Sequence, residues 1–223
     1  RLKEIQPNEL QQLKEVMVRV DAVRKFRLSS PKVATQEKAK FSWLFGEDRQ
    51  PTASNLILFP KVSSERRYYM PIAYLDSHTI INNTIQFIPN GQLWHFGVLH
   101  SAMHNAWLRT VGGRLESRYQ YSISVVYNNF PWAEPTDKQI QAIEQSAQAV
   151  LDARAQFPDA SLADLYDPRT MPPDLAKAHA KLDKAVDTAY GYRRGASACA
   201  PSQDDNERVS FLFDLYQKMT GLL

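Results

Sequence analysis

The sequence predicts an α+β protein, in which a mixed α/β domain is followed by an all-helical region. Short runs of β-branched and aromatic residues are concentrated before residue 135, and after Pro135 the apolar residues recur at helical spacing. The charge changes at nearly the same place. Residues 1–130 hold 17 Lys+Arg and 10 Asp+Glu, a balance of +7, whereas residues 131–223 hold 10 and 14, a balance of −4. We therefore expect a helical linker at 1–27, an α/β domain at 28–135 and a helical domain at 136–223.

The first half of the chain is predicted to contain two helices, several short strands and one long strand. Apolar residues at helical spacing predict a helix at 8–26, for which Asn8 is the cap. Short runs typical of strands follow at 56–59, 67–75, 79–81 and 84–88. A buried helix is predicted at 92–111, and Gly112 and Gly113 end it. Strict alternation of apolar and polar residues then predicts one long strand at 115–127.

The second half is predicted to be helical throughout. Thr136 is followed three residues later by Gln139, a pairing typical of a capping box, so a helix is expected from 136 to 153. Further helices are expected at 162–166, 174–190 and 207–219. Residues 195–206 are rich in Gly, Ala, Ser, Pro and Asp and predict a loop.

Several classes of protein are excluded by composition. No run of 18 apolar residues is present, so no transmembrane helix is expected. Residues 1–15 are too polar for a signal peptide. Cys199 is the only cysteine, which excludes an internal disulfide and favours a reducing, cytoplasmic location. The chain starts without Met, and we interpret it as a fragment of a longer protein.

No catalytic residue and no metal ligand is predicted. His100 and His104 lie four residues apart and could face one metal ion, but Ser101 stands where a zinc protease has glutamate, and ordinary helix histidines are favoured. The segment 128–131 has only a superficial likeness to the Asn-Pro-Pro-aromatic motif of amino methyltransferases. No glycine-rich loop follows a strand, so no cofactor is expected in this chain.

Two groups of residues are candidates for contact with nucleic acid. Residues i, i+2 and i+4 of a strand share one face, so Glu116, Arg118 and Gln120 could contact neighbouring bases in a major groove. Taken alone, a solvent-facing strand with salt bridges is favoured for them. The second group consists of hydroxyl and basic residues in the basic half of the chain that are suited to contacting phosphates: Lys61, Ser63, Ser64, Arg66, Arg67 and Arg114. For the loop at 61–67, a solvated turn is an equal alternative.

Several sequence motifs, found in order along the chain, resemble those of a known protein family. The most specific is Gly113-Arg114-Leu115-x-Ser117-x-Tyr119-x-Tyr121-Ser122, which leads to Tyr127-Asn128-Asn129-Phe130-Pro131. Others, in the same order along the chain, are Phe59-Pro60-x-Val62-Ser63-Ser64-Glu65-Arg66-Arg67-Tyr68-x-Met70-Pro71, Phe96-Gly97-x-Leu99-x-Ser101-x-Met103-His104-x-x-Trp107 and Leu165-Tyr166-Asp167-Pro168-x-Thr170-Met171-Pro172-Pro173. Together they resemble the target-recognition domain and helical C-terminal region of MmeI-like restriction–modification enzymes.

The resemblance implies a function. Such enzymes join an adenine methyltransferase domain that uses S-adenosylmethionine to a spacer, a recognition domain and often a nuclease. It implies double-stranded DNA and the parent's own methyltransferase domain as partners, with no membrane. It also implies that Glu116, Arg118 and Gln120 occupy positions that vary with the recognised base, with Thr84 near a further one. We expect the fragment itself to have no activity. A protein-interaction scaffold, or a metal-dependent hydrolase using His100 and His104, are the alternatives.

Overall fold

The structure, a computed structural model, describes residues 2–47, 50–76, 78–193 and 201–221. The chain divides into two units with contacts of their own, residues 1–50 and residues 51–223. Among the described residues, no helix combines the length and the apolar character needed to cross a membrane.

The first unit consists of short helices. They are α1 (Pro7–Gln12), α2 (Lys14–Leu28), α3 (Val33–Glu37) and a 3-10 turn (Lys38–Phe41). The single helix predicted at 8–26 is two helices, because Leu13 leaves the helical region with ψ at 73°. Arg27 holds the following turn, since its guanidinium donates to the carbonyl oxygens of Lys38 at 2.8 Å and of Leu44 at 2.8 Å.

The second unit contains two small antiparallel sheets. Its strands are β1 (Asn55–Pro60), β2 (Val62–Ser63), β3 (Ala73–Asp76), β4 (Ile85–Pro89), β5 (Gly113–Leu115) and β6 (Arg118–Gln120). The strand orders are β3-β1-β4 and β2-β6-β5. Only Lys61 separates β1 from β2, so one extended stretch of chain passes from the first sheet into the second. The strands predicted at 56–59 and 84–88 are thus confirmed.

The helices of this unit share one apolar core with residues of β1. They are α4 (Leu93–Leu99), α5 (Ala102–Val111), a π-helical turn (Ile123–Tyr127), α6 (Asp137–Ala155), α7 (Leu162–Leu165), α8 (Pro173–Tyr190) and α9 (Pro201–Thr220). The predicted capping box is present, because the Gln139 side chain accepts from the backbone N–H of Thr136 at 2.8 Å. Residues 201–206, predicted as loop, belong to α9, while the rest of that predicted loop through residue 200, with Cys199, lies outside the described residues.

Three predictions of regular structure in the first half were wrong, in whole or in extent. The helix at 92–111 is two helices, because His100 ends α4 and Ser101 begins α5 with an extended backbone. Only the end of the strand predicted at 67–75 is a strand. Before that end, the backbone N–H of Met70 donates to Asn105 Oδ1 at 2.7 Å, and Pro71 has no N–H. Neither residue can therefore donate a backbone hydrogen bond to a neighbouring strand. Residues 79–81 form no strand.

The prediction of one long strand at 115–127 was also wrong. Leu115 pairs with Arg118 across a two-residue turn, in which Glu116 has a left-handed φ of 58°. The chain therefore turns back as a β5–β6 hairpin. It then enters the π-helical turn, where Trp107 Nε1 donates to the carbonyl oxygen of Val126 at 3.1 Å.

One apolar core continues across the point where the helical domain was predicted to begin. Phe96 and Met103 from one side and Ile143 and Leu182 from the other are all fully buried in it. At the closest approach, a Cβ added to Gly97 would lie 2.7 Å from Ile143 Cγ2, which explains why glycine stands here. The domain boundaries expected at 27/28 and 135/136 stay a prediction.

Candidate nucleic-acid interface

The β5–β6 hairpin presents an exposed polar face. Side chains alternate across a strand, so Arg118 and Gln120 lie on one face of β6. Leu115 and Gly113, their partners in β5, lie on that same face. All four are exposed. The face therefore offers a guanidinium and an amide with hydrogen-bonding capacity free for a ligand.

Glu116 does not continue this face, because it occupies the turn. Its carboxylate reaches back to Arg118, with Oε2 at 2.9 Å from Nη2. The two side chains are 78% and 46% exposed, and such surface pairs contribute roughly 0–1 kcal/mol. The pair orients the guanidinium without consuming it. Of the predicted trio, the structure thus keeps Arg118 and Gln120 together and moves Glu116 to the tip.

The opposite face of the hairpin carries Arg114 and Tyr119. Arg114 lies over the ring of Tyr119, its cross-strand partner, at 4.1 Å from the centroid. Arg114 also donates to the backbone oxygen of Arg109 at 2.9 Å. The predicted phosphate residue Arg114 and the predicted base residue Arg118 therefore lie on opposite faces.

Lys61 and Thr84 meet beside the hairpin. The backbone N–H of Lys61 donates to the carbonyl oxygen of Thr84 at 3.0 Å, and the backbone oxygen of Lys61 accepts from Tyr121 at 2.9 Å. Val62, the next residue, pairs with Gln120. Both Lys61 and Thr84 are exposed. The junction between the two sheets thus brings two distant candidates close to Gln120.

The remaining phosphate candidates are turned elsewhere. Arg66 lies 3.8 Å from the carboxylate of Asp167, and Arg67 donates to the backbone oxygen of Ala163 at 3.3 Å. Ser64 Oγ accepts from the backbone N–H of Arg66 at 3.3 Å. Ser63 is buried, and its Oγ has no hydrogen-bond partner. The six candidates are therefore not one cluster, and Arg66 and Arg67 face the loop and helix around α7.

His104 supports the hairpin from within the core. Its Nε2 is 3.0 Å from the hydroxyl of Tyr121, the residue that follows β6. Tyr121 also stacks on Phe59 of β1 with ring centroids 4.8 Å apart. Burial lowers the pKa of His104 to about 3, so the ring is neutral. His104 and His100 lie on different helices, and among the described residues no three His, Cys, Asp or Glu come together as a metal site.

His100 belongs to a buried polar network centred on Arg154. Nη2 of Arg154 is 3.0 Å from Nδ1 of His100, and Nη1 donates to the backbone oxygen of Ile72 at 3.0 Å. Nε and Nη2 both donate to the hydroxyl of Tyr166, at 2.8 and 2.6 Å. Because that hydroxyl oxygen already accepts two hydrogen bonds, its O–H donates a hydrogen bond to Nε2 of His179 at 2.8 Å. Burial first, and then the Arg154 charge, lower the pKa of both histidines well below the ordinary value.

A second buried contact lies next to this network. The hydroxyl of Tyr69 donates to Asp183 Oδ2 at 2.6 Å, and the backbone N–H of Ala102 donates to Oδ1 at 2.7 Å. Burial raises the pKa of Asp183 to about 6 despite these donors. No local sequence pattern indicated either network, because their members are far apart along the chain.

The base of the hairpin is tied to α9. Arg109, near the end of α5, makes two hydrogen bonds to the carboxylate of Asp205, at 2.7 and 2.8 Å. Its Nη1 donates to the backbone oxygen of Tyr68 at 2.6 Å. Because Arg114 binds the backbone of this same arginine, α9 contacts the hairpin through one intermediate residue.

Comparison with known proteins gives consistent matches along the chain. The family model described as MmeI, target recognition domain, matches residues 1–134, and the model described as MmeI, C-terminal domain, matches residues 135–223. DNA methyltransferase A of Bacillus subtilis (strain 168) is 36% identical over 205 residues, which are 92% of this chain and 22% of that protein. A solved structure of the Type IIL restriction–modification enzyme MmeI in complex with DNA is 44% identical, with a TM-score of 0.86. That match covers 99% of this chain and 28% of that one. The chain therefore spans less than a third of the length of these relatives.

Proposed function

Because the chain belongs to the MmeI family, we propose that it is the sequence-specific DNA-recognition module of an adenine-specific DNA methyltransferase or restriction–modification enzyme. The observation that carries the proposal is the 44% identity and TM-score of 0.86, over 99% of the chain, to an enzyme solved in complex with DNA. Double-stranded DNA is the proposed partner. The cytoplasm is the proposed location.

The hairpin is the proposed base-contacting element. A two-stranded ribbon fits the major groove, where arginine can make two hydrogen bonds to guanine, glutamine can pair with adenine and glutamate can accept from cytosine. We assign these roles to Arg118, Gln120 and Glu116. Their exposure on the outer face and tip of the hairpin supports the assignment. Thr84 is proposed as a further base contact, because its backbone bonds to Lys61 beside Gln120.

Phosphate contacts are proposed around the hairpin. Lys61 is exposed at the junction of the sheets, and Ser64 and Arg114 are accessible without a change of fold. Arg66 and Arg67 remain proposed contacts, but each would first leave its present partner near α7. Ser63 could contribute only after its buried hydroxyl became accessible.

The methyl-transfer chemistry is assigned to another part of the parent protein. S-adenosylmethionine is expected there, because this chain does not fit the cofactor: its eight glycines include no Gly-x-Gly loop after a strand. The proposed partner within the parent is its own methyltransferase domain. That domain would flip the adenine from the duplex while this module holds the register.

Selection from a random duplex library tests the proposal. The chain is incubated with duplexes of random sequence at moderate salt, and the bound fraction is sequenced. We expect enrichment of one short motif containing adenine, together with a steep dependence of affinity on salt concentration. Retention of no duplex at low salt would overturn the proposal and favour a protein-interaction scaffold. Binding without an enriched motif would overturn the sequence-specific part.

A further inference from the structure

A groove whose lining includes three lysines lies between α6 and α8, two helices that follow the hairpin in the sequence. Its volume is about 420 Å³, and its walls carry Lys138 from α6 and Lys181 and Lys184 from α8. Ala142 and Ala185 are among the residues that line it between the lysines. All three lysines are exposed.

The residues that line the groove include three lysines and no acidic residue, although residues 131–223 carry a net negative charge. Three carboxylates of α8 are already engaged: Asp174 binds Lys177 at 3.2 Å, Asp183 binds Tyr69 and Ala102, and Asp187 binds Arg208 at 2.6 Å. No ion pair joins the three groove lysines to any carboxylate in the part of the chain that the structure describes. Their charges are therefore left for an external partner.

We propose that this groove contacts the phosphate backbone of duplex DNA outside the bases that the hairpin recognises. Lysine is a flexible point charge suited to phosphate oxygens, and contacts to phosphates position a protein without specifying sequence. The two other polar side chains in the groove are already engaged: Gln139 donates to the backbone oxygen of Thr188 at 3.2 Å, and the Thr188 hydroxyl donates to the backbone oxygen of Lys184 at 2.7 Å. An open, lysine-lined groove with small apolar residues between its walls fits a polyanion better than it fits a small enclosed anion.

The groove gives the helical C-terminal domain a part in binding, and the inference rests on the proposed function. Lys181 and Lys184 are three residues apart on α8, so both project from one side of the helix. Lys138 faces them from the N-terminal end of α6, where Gln139 meets Thr188. Three cations are thus held on two rigid helices rather than on a loop.

The test is a salt series on a duplex with the selected motif and long flanks. The variant carries Lys138→Gln, Lys181→Gln and Lys184→Gln, and a second variant carries Arg at the same three positions. A third removes three exposed lysines elsewhere, with Lys14→Gln, Lys32→Gln and Lys218→Gln. Each phosphate contact contributes about 0.9 to the slope of log affinity against log salt. We expect the first variant to lower the slope by up to roughly 2.7, and the arginine variant to retain it.

The outcomes separate the two levels of the proposal. A slope that falls equally in the first and third variants reports net charge alone and overturns the groove contact. So does an unchanged slope in the first variant, which would leave an acidic protein surface as the partner of the groove. Failure of the unaltered chain to bind duplex at low salt overturns the proposed function instead. Sequence preference measured on the first variant should remain unchanged, because phosphate contacts affect all duplexes alike.

Discussion

At the scale of single residues, the tip of the hairpin combines backbone strain with a polar pair. Glu116 adopts a φ of 58°, a region that non-glycine residues occupy uncommonly. The turn places its carboxylate within 2.9 Å of Arg118. The strain therefore has a local consequence, because this backbone conformation turns the chain back into the hairpin instead of continuing a strand through residue 116.

Arg118→Ala should relax the choice of base at one position of the recognised sequence. The loss of two hydrogen bonds to guanine costs about 1–3 kcal/mol with the preferred duplex and little with unrelated duplexes. Fluorescence anisotropy with single-position duplex variants measures both. Ser117→Ala, at the other position of the turn, is the matched control and should leave preference intact.

Exchanging Glu116 and Arg118 in the full-length parent should change the methylated sites mapped across a genome. Active protein with an unchanged motif would assign the pair to the solvent-facing alternative.

Lys61 and Arg66 should differ in their effect on salt dependence. Lys61 is exposed beside Thr84, whereas Arg66 lies 3.8 Å from Asp167. We expect Lys61→Ala to lower the salt slope by about one unit for every duplex. Arg66→Ala should do the same only if the arginine leaves Asp167 on binding. An effect of Lys61→Ala confined to a single sequence would contradict its phosphate role.

At the scale of elements, sequence periodicity predicted where regular structure occurs better than where it turns. The start of α6 at Thr136 and the strands β1 and β4 were predicted, because capping and β-branched runs are local signals. The hairpin was missed because Leu115, Tyr119 and Ile123 keep alternating through a turn that contains no glycine. The break at His100 and Ser101 was missed because two non-helical residues barely alter the helical spacing of their neighbours.

The ties that position the hairpin were also beyond prediction. Arg109 and Asp205 are 96 residues apart, and no periodicity relates residues at such a separation. The same holds for Arg154 and His100, which are 54 residues apart. Composition located the basic half of the chain, but not the contacts that turn Arg66 and Arg67 toward α7.

Asp205→Asn should weaken discrimination between duplexes more than it weakens the fold. The change leaves the Arg109 guanidinium without its charged partner at the base of the hairpin, so the backbone that Arg114 binds is held less firmly. Asp187→Asn is the matched control, because the carboxylate of Asp187 pairs with Arg208 of α9 at 2.6 Å. Both variants should lose about 1–3 kcal/mol of unfolding free energy. Only the first should reduce the affinity ratio between preferred and mismatched duplexes, about tenfold if roughly 1.4 kcal/mol of discrimination is lost. Equal ratios in both variants would assign Asp205 a purely structural role.

At the scale of the whole molecule, three buried neutral histidines make stability depend on pH. Burial is the main cause that lowers the pKa of His100, His104 and His179, so the unfolded chain binds protons at these positions before the folded chain does. Their contribution is fully present above pH 6.5 and is lost as the pH falls toward the folded-state pKa. Asp183 acts in the opposite sense: its stabilising contribution is present at low pH and is lost as the pH rises through about 6.

His104→Gln should reduce the pH dependence of stability. A group with an unfolded-state pKa of about 6.5 and a folded-state pKa near 3 contributes about 1.4 kcal/mol less at pH 5.5 than at pH 7.5. Urea unfolding at the two pH values should show a difference smaller by about that amount in the variant. The exposed His78→Gln variant is the control. An identical pH dependence in His104→Gln and the unaltered chain would show that folding does not lower the pKa of His104.

Because the apolar core joins residues that are far apart in the sequence, it cannot be completed until late in synthesis of the chain. Trp107 is buried, and its ring contacts Phe213 and Tyr216 of α9 at centroid distances of 5.2 and 6.1 Å. Synthesis proceeds from the N-terminus at about 5–20 residues per second. About a hundred residues therefore follow Trp107 before its partners leave the ribosome, an interval of roughly 5–20 s at that rate. During this time the tryptophan and the base of the hairpin lack the residues of α9 that pack against them, so the proposed recognition surface is completed only after α9 has been synthesised.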